Sequence, residues 1–168
     1  SPLKHYGESL VAQLRERLGS DFVVELAMRY QNPSIESALR RLMAEKVSRI
    51  VVFPLFPQYA SATTGSVHEE VMRFFMGQQS IPDLRFVNGY CDWPDMVHLF
   101  AENAKRFNLS EYDHILFSYH GLPQRQLRKA DAFQHCLQSA DCSQTLTPTN
   151  QFCYSAQCYA TTPATAAE

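Results

Sequence analysis

The sequence predicts an α/β protein organised around a doubly wound parallel sheet. Three observations carry this reading. Short apolar runs alternate along the chain with longer stretches whose apolar residues recur at three- and four-residue steps. The stretches between the runs are long enough for helical crossovers, which consecutive parallel strands require. One run, Ile50-Val51-Val52-Phe53-Pro54-Leu55, is apolar throughout, as in a strand covered on both faces.

Taken in order, Leu3, Tyr6, Leu10, Leu14 and Leu18 mark an amphipathic helix over residues 3–18, stopped by Gly19. Phe22 to Met28, short and apolar with β-branched residues, predicts a strand. Ser34 is suited to cap a helix that continues from Ser37 to Lys46. Ile50 to Leu55 is the next strand, followed by a loop from Pro57 to Thr64 and a helix from about Ser66 to Met76. Leu84 to Val87 is a strand, and Pro94 fits the first turn of a helix running to about Phe107. His114 to Phe117 is the last predicted strand, and Ala164 to Glu168 reads as the start of a helix. The polar turn Asn108–Glu111 is the best candidate for a subdomain boundary.

A chain of 168 residues fits about one domain with a single core. The net charge of −2, with scattered basic residues, gives no reason to expect a nucleic acid or an anionic surface as partner. No apolar run approaches the roughly 18 residues of a membrane-spanning helix. No charged region followed by an apolar stretch opens the chain, so no signal peptide is visible. The first residue is Ser1, not Met, and the sequence is expected to be a piece of a longer protein.

Ligands of open parallel sheets sit beyond the carboxyl ends of the strands. Three such ends carry chemistry here: Met28-Arg29-Tyr30-Gln31, Phe56-Pro57-Gln58-Tyr59 with Ser61, Thr63, Thr64 and Gly65 after it, and Ser118-Tyr119-His120-Gly121. His120 is the strongest single candidate, because imidazole exchanges protons near neutral pH and ligates borderline metals. Its structural alternative is a half-buried histidine bonded to a carbonyl. Arg29 and Tyr30 could grip a carboxylate and pack flat on an aromatic ligand, or form a surface ion pair and a packed ring. The hydroxyls from Ser61 to Ser66 could make an anion site at a helix N-terminus, or simply cap that helix.

Four of the five cysteines fall close together, Cys136-x5-Cys142-x10-Cys153-x4-Cys158. Without a visible signal peptide a reducing compartment is expected, where structural disulfides are uncommon. Four clustered thiols then point to a metal or iron–sulfur centre. The spacing lacks paired C-x2-C knuckles, which weakens a zinc reading, while four thiolates suit a 2Fe-2S cluster. Two disulfides in an exported protein, or unrelated thiols, remain the alternatives. His135 is a lesser ligand candidate and Cys91 reads as a packed residue.

At these residues the chain resembles the ferrochelatases. The resemblance rests on Ser1-Pro2-Leu3, Met28-Arg29-Tyr30, Pro54-Leu55-Phe56-Pro57-Gln58-Tyr59, Thr63-Thr64-Gly65-Ser66 and Leu116-Phe117-Ser118-Tyr119-His120-Gly121-Leu122-Pro123, in that order. It implies a chelatase-like fold of two similar Rossmann-like α/β halves, here incomplete. Residues 1–109 would be most of the first half without its first strand. Residues 110–168 would begin the second, whose catalytic glutamate and nearby histidine should lie beyond Glu168. It implies insertion of ferrous iron into protoporphyrin IX to form protohaem, with His120 as base or metal contact. Ser1, Arg29, Tyr30, Phe56, Gln58, Tyr59 and Thr63 would face the porphyrin.

Some ferrochelatases carry a cluster cysteine just after the Pro-Gln-Tyr loop. Here that position is Ser61, so the resemblance is to a bacterial subset with an internal 2Fe-2S site at Cys136, Cys142, Cys153 and Cys158. A cytoplasmic location with peripheral contact at the inner membrane is implied, and no oligomeric state. The alternatives are a chelatase for another tetrapyrrole or metal such as cobalt, and a non-catalytic iron–sulfur or zinc module. The fragment alone is expected to be inactive.

Overall fold

The computed structural model describes residues 2–139 and 141–168. They form two compact units. The first comprises the chain up to Val52 together with Ser66–Phe86, and the second comprises Phe53–Gly65 and Val87–Glu168.

The first unit is a helix-covered parallel pair of strands. β1 (Arg49–Val52) and β2 (Asp83–Phe86) pair in parallel, Ile50 opposite Leu84. The crossover between them carries α3 (Ser66–Phe75), and α2 (Ile35–Ala44) precedes β1. Ile35, Leu39, Ile50, Val71 and Phe75 form the buried core, with Leu42, Val67, Leu84 and Phe86 packed against it. Ser34 caps α2 as the sequence predicts: its hydroxyl accepts the Ser37 N–H at 3.1 Å. α1 (Pro2–Leu18) ends where Gly19 turns left-handed at φ 74°.

Three expectations fail in this unit. Residues 22–28 are extended but unpaired, apart from an isolated bridge of Met28 to Ser34. Side chains do the work of a ladder there: Arg15 donates to the Val24 carbonyl at 2.6 and 3.0 Å, and Arg41 grips Glu25 at 2.6 Å. The apolar stripe of α1 faces solvent, with Leu3, Tyr6, Leu10 and Leu18 all exposed. Gly7 is the buried point of that helix, seated on Leu26. The run from Ile50 to Leu55 is not covered on both faces: the strand stops at Val52, Ile50 is buried, and Val51, Phe53 and Leu55 are exposed.

The second unit is helical. α4 (Pro94–Ala104), α5 (Gln124–Ala130) and α6 (Tyr154–Ala167) are joined by long irregular segments, and α4 packs on α6. Pro94 opens α4 at its first position, as predicted. Ala164 to Glu168 is the end of a helix, not its beginning, since α6 already starts at Tyr154. Residues 113–123 form no strand, so His120 does not sit at a strand end. Ile115, Leu116 and Phe117 are exposed, Leu116 at 90%. A strand needs a neighbour to take its backbone hydrogen bonds, and among the described residues no second strand lies against this run. Among the same residues no helix is long and apolar enough to cross a membrane.

Candidate functional site

The chemistry-bearing residues of the second unit converge on one face of α6. Residues Tyr154, Gln157, Cys158, Thr161, Thr162 and Thr165 recur at three- and four-residue steps, so they share a side of the helix. Gln157, Thr161 and Thr165 are buried polar residues. Buried polar atoms must be paired, and two of these three turn toward the segments singled out in the sequence.

The Pro57-Gln58-Tyr59 loop is held first. The Tyr59 N–H donates to Gln157 Oε1 at 2.6 Å, and Gln58 Nε2 donates to Thr161 Oγ1 at 3.0 Å. Thr161 in turn donates to the Cys91 carbonyl at 2.6 Å. The Tyr59 ring meets Phe152 edge-on, centroids 5.2 Å apart. Phe56 is exposed beside this anchored stretch.

A single π-helical turn follows over Ser61–Gly65. Thr63 and Gly65 both give their N–H to the Ala60 carbonyl at 3.1 Å, and Thr63 Oγ1 donates to that carbonyl at 3.3 Å. Thr63 thus bonds back into its own turn, and this turn stands where the sequence leaves an anion site and a helix cap open. Thr64 is fully buried, and its hydroxyl has no hydrogen-bond partner among the described residues.

His120 is held by the same helix. The neighbouring Tyr119 hydroxyl bonds Thr162 Oγ1 at 2.9 Å; Thr162 spends its own proton on the Cys158 carbonyl, so Tyr119 is the donor. The His120 backbone hydrogen-bonds the Tyr154 phenol. Burial, reinforced by the adjacent Cys158, pushes that phenol up to about 12, so it stays protonated at neutral pH. The imidazole itself stands exposed. One helix therefore carries both the Gln58–Tyr59 loop and an exposed histidine.

Two concavities bear on this arrangement differently. A small cavity beside Tyr59, lined also by Leu122, Phe152 and Tyr154, holds only about 10 Å³. A larger open one of about 570 Å³ runs along α4 past Leu99, Phe100 and Arg106 and includes none of the residues singled out in the sequence. The residue chemistry, not the depression along α4, marks the site.

Arg29 and Tyr30 belong to the first unit. The Arg29 guanidinium donates to the Ser66 carbonyl at 3.2 Å, pairs with Glu70 at 3.6 Å and lies 4.7 Å from the centre of the Tyr30 ring. Tyr30 is 79% exposed and offers a free aromatic face. Ser1 lies outside the described residues.

The cysteine segment folds around two buried carboxyl and amide side chains. The Asp131 carboxylate accepts the N–H groups of Phe133 and Cys136. Asn150 donates to the Cys142 and Thr145 carbonyls and accepts the Thr147 N–H. Cys136 and Cys153 are joined as a disulfide with Cα atoms 5.9 Å apart, contrary to the expectation of four reduced cysteines at a metal centre, while Cys91, Cys142 and Cys158 are thiols. Ser143 Oγ lies 3.7 Å from the sulfurs of both Cys142 and Cys153. Leu137, left-handed at φ 62°, turns its N–H onto Cys142 Sγ at 3.2 Å. Hydrogen bonds from the backbone around Ser139 hold the Cys142 thiol below its ordinary range.

Ser143 thus stands between the Cys142 thiol and the Cys136–Cys153 disulfide. Cys158 follows Cys153 by roughly 7.5 Å of helix rise and is bonded to Tyr154. Among the described residues no group of three or more His, Cys, Asp or Glu stands ready to hold a metal ion. Cys136, Cys153 and Cys158 are buried, an N–H is aimed at the Cys142 sulfur, and that thiol is shifted toward thiolate. His135 is exposed and outside this group.

Asp131, Asn150, Gln157 and Thr161 are absent from the sequence-based candidates. The Thr147-Pro148-Thr149-Asn150 turn was a readable signal for Asn150. Gln157 and Thr161 carry no local signal; their role depends on a partner about 100 residues away, Gln157 with Tyr59 and Thr161 with Gln58.

The whole of residues 1–168 matches the Ferrochelatase family. The chain belongs to the ferrochelatase family. It is 41% identical over 151 residues to a ferrochelatase of Alcanivorax borkumensis, covering 86% of this chain and 43% of that protein. A Legionella pneumophila ferrochelatase is 36% identical over 164 residues, covering 96% and 47%. One from Coxiella burnetii is 39% identical over 166 residues, covering 96% and 45%. The chain spans about half the length of the curated relatives it matches. Family membership settles the fold class as α/β, with the small parallel sheet as its visible part.

Proposed function

We propose that the protein containing this chain inserts ferrous iron into protoporphyrin IX, the last step in making protohaem. One observation carries the reading beyond the family match: α6 anchors both the aromatic Gln58–Tyr59 loop and the His120 segment, so a macrocycle-binding surface and an exposed proton acceptor share one support. Ferrous iron is the substrate. As it enters, two pyrrole N–H bonds break and two protons leave, so a base must stand near the ring. His120 fills that role or faces the incoming metal. A cleft that bends the flat macrocycle exposes its nitrogen lone pairs and lowers the barrier. Phe56 and Tyr59 offer aromatic faces to the ring, and Gln58 and Thr63 offer polar contacts to its edge; Ser1, Arg29 and Tyr30 are assigned to the porphyrin by the family resemblance alone.

Cys136, Cys142, Cys153 and Cys158 are proposed to hold a 2Fe-2S cluster in place of the disulfide. Bound there, it would supply a covalent tie across a polar segment that buries little core of its own, and a one-electron centre. The full-length protein purified without oxygen should show visible absorption, with iron and sulfide near two each per chain. A colourless, iron-free protein that is fully stable speaks against the cluster.

The insertion assay incubates full-length protein anaerobically with protoporphyrin IX and ferrous, cobalt or nickel ions. Protohaem formed from ferrous iron is the expected product. Cobalt as the preferred metal would favour a related chelatase, and absence of porphyrin binding a non-catalytic sulfur-metal module.

A further inference from the structure

Gln157 is 3% exposed, and both ends of its amide are used in opposite directions. Oε1 accepts the Tyr59 N–H at 2.6 Å, and Nε2 donates to the Gln151 carbonyl at 2.8 Å. The oxygen must face Tyr59, because a backbone N–H can only donate. Gln151 lies two residues before Cys153, and Phe152 between them rests on the Tyr59 ring. The main chain entering the cysteine centre and the main chain of the Tyr59 loop are therefore bridged by one side chain. Gly89 makes room for this bridge: a Cβ there would stand 3.1 Å from the Pro57 carbonyl and 3.5 Å from Gln157 Oε1.

We infer that Gln157 is a positioning residue that ties the Gln58–Tyr59 loop to the cysteine segment, so that ordering of Gln151–Cys153 sets where the loop stands. The inference rests on reading that loop as a porphyrin contact. Glutamine suits the position because the bridge needs an acceptor and a donor at once. A leucine or methionine offers neither, asparagine is a methylene short, and a glutamate can do both only while protonated.

The test uses the full-length protein with Gln157→Met, Gln157→Glu and, as a packing control, Thr165→Val. Thr165 is buried on the same helix, and among the described residues its hydroxyl bonds only the Thr161 carbonyl within that helix. In Gln157→Met, hydrogen exchange of the peptide spanning Gln58–Thr63 should quicken by about tenfold or more. The KM for porphyrin should rise by about fivefold, with the KM for ferrous iron changing by less than about twofold. Gln157→Glu should bind porphyrin more nearly like the parent at about pH 6 than at about pH 8, where its carboxylate is ionised. Unchanged loop exchange or an unchanged porphyrin KM in Gln157→Met overturns the inference, as does an equal change in Thr165→Val. A parent protein that fails to bind protoporphyrin overturns the chelatase reading instead, before any variant is compared.

Discussion

Replacing Gly89 by alanine tests how tightly the Tyr59 loop is held. Its φ lies outside the left-handed region, so alanine is allowed by the backbone. The new Cβ would stand 3.1 Å from the Pro57 carbonyl oxygen and 3.7 Å from the Tyr59 nitrogen. That carbonyl already accepts the Tyr90 N–H at 2.9 Å, so it cannot swing aside without weakening this bond. Overpacking of this kind costs about 1–3 kcal/mol. The loss of unfolded-state freedom offsets about 0.4–1 kcal/mol of it. The net destabilisation is about 0–2.6 kcal/mol.

The functional effect should be clearer than the change in stability. Shifting Pro57 carries Tyr59 with it and stretches the 2.6 Å bond to Gln157. Losing one such bond, about 1 kcal/mol, corresponds to roughly fivefold weaker porphyrin binding. Gly89→Val, with two more methyl groups, should weaken binding further. Porphyrin titration by Soret absorbance, alongside urea unfolding, measures both quantities on full-length protein. If both variants bind porphyrin as tightly as the parent, Gly89 does not constrain the loop.

Other outcomes follow from single groups. Ser34→Ala should lower stability by about 1 kcal/mol, because it strips the cap from α2, while Ser34→Asp should keep most of it; thermal melts distinguish the two. In cluster-free, reduced protein, Cys142 should alkylate fastest with iodoacetamide near neutral pH, since its thiol lies low, while Cys91 should resist. Burial, with Asp92 beside it, pushes Cys91 up to about 12 from 9.0. The folded state therefore keeps that proton where the unfolded chain sheds it, so stability should fall as pH rises from 9.0 toward 12 and be unaffected by this group below 9.0. Chemical unfolding across that range, with Cys91→Ala as reference, reads the slope.

Helices α1 to α4 were legible because their signals are local. Ser34 ahead of an apolar periodicity, Pro94 at a first turn and Gly19 after a last one each act within a few residues. β1 and β2 were placed within two or three residues, because both lie in the apolar core. Phe22–Met28 and His114–Phe117 have the composition of strands but not their structure. Pairing is a property of two segments, and composition reports one. α6 was missed over most of its length because Pro163 and three threonines lower its helical signal. Thr162 and Thr165 turn their hydroxyls back onto carbonyls four residues earlier, which keeps them compatible with the helix.

The site divides along the same line. His120, Tyr59 and the four cysteines were visible as residue types in a telling order. The braces that aim them, Gln157, Thr161, Thr162 and Asp131, were not, because each owes its role to a contact made elsewhere in the fold. Cys158 shows the limit most plainly. Its spacing groups it with the other three, whereas in the fold its bonded partner is Tyr154.

The most direct test of the account is anaerobic iron insertion by the full-length protein carrying His120→Ala. The account predicts a fall in kcat of about 10²- to 10⁴-fold, the range for loss of a general base, with porphyrin still bound. Insertion within a few-fold of the parent would contradict it.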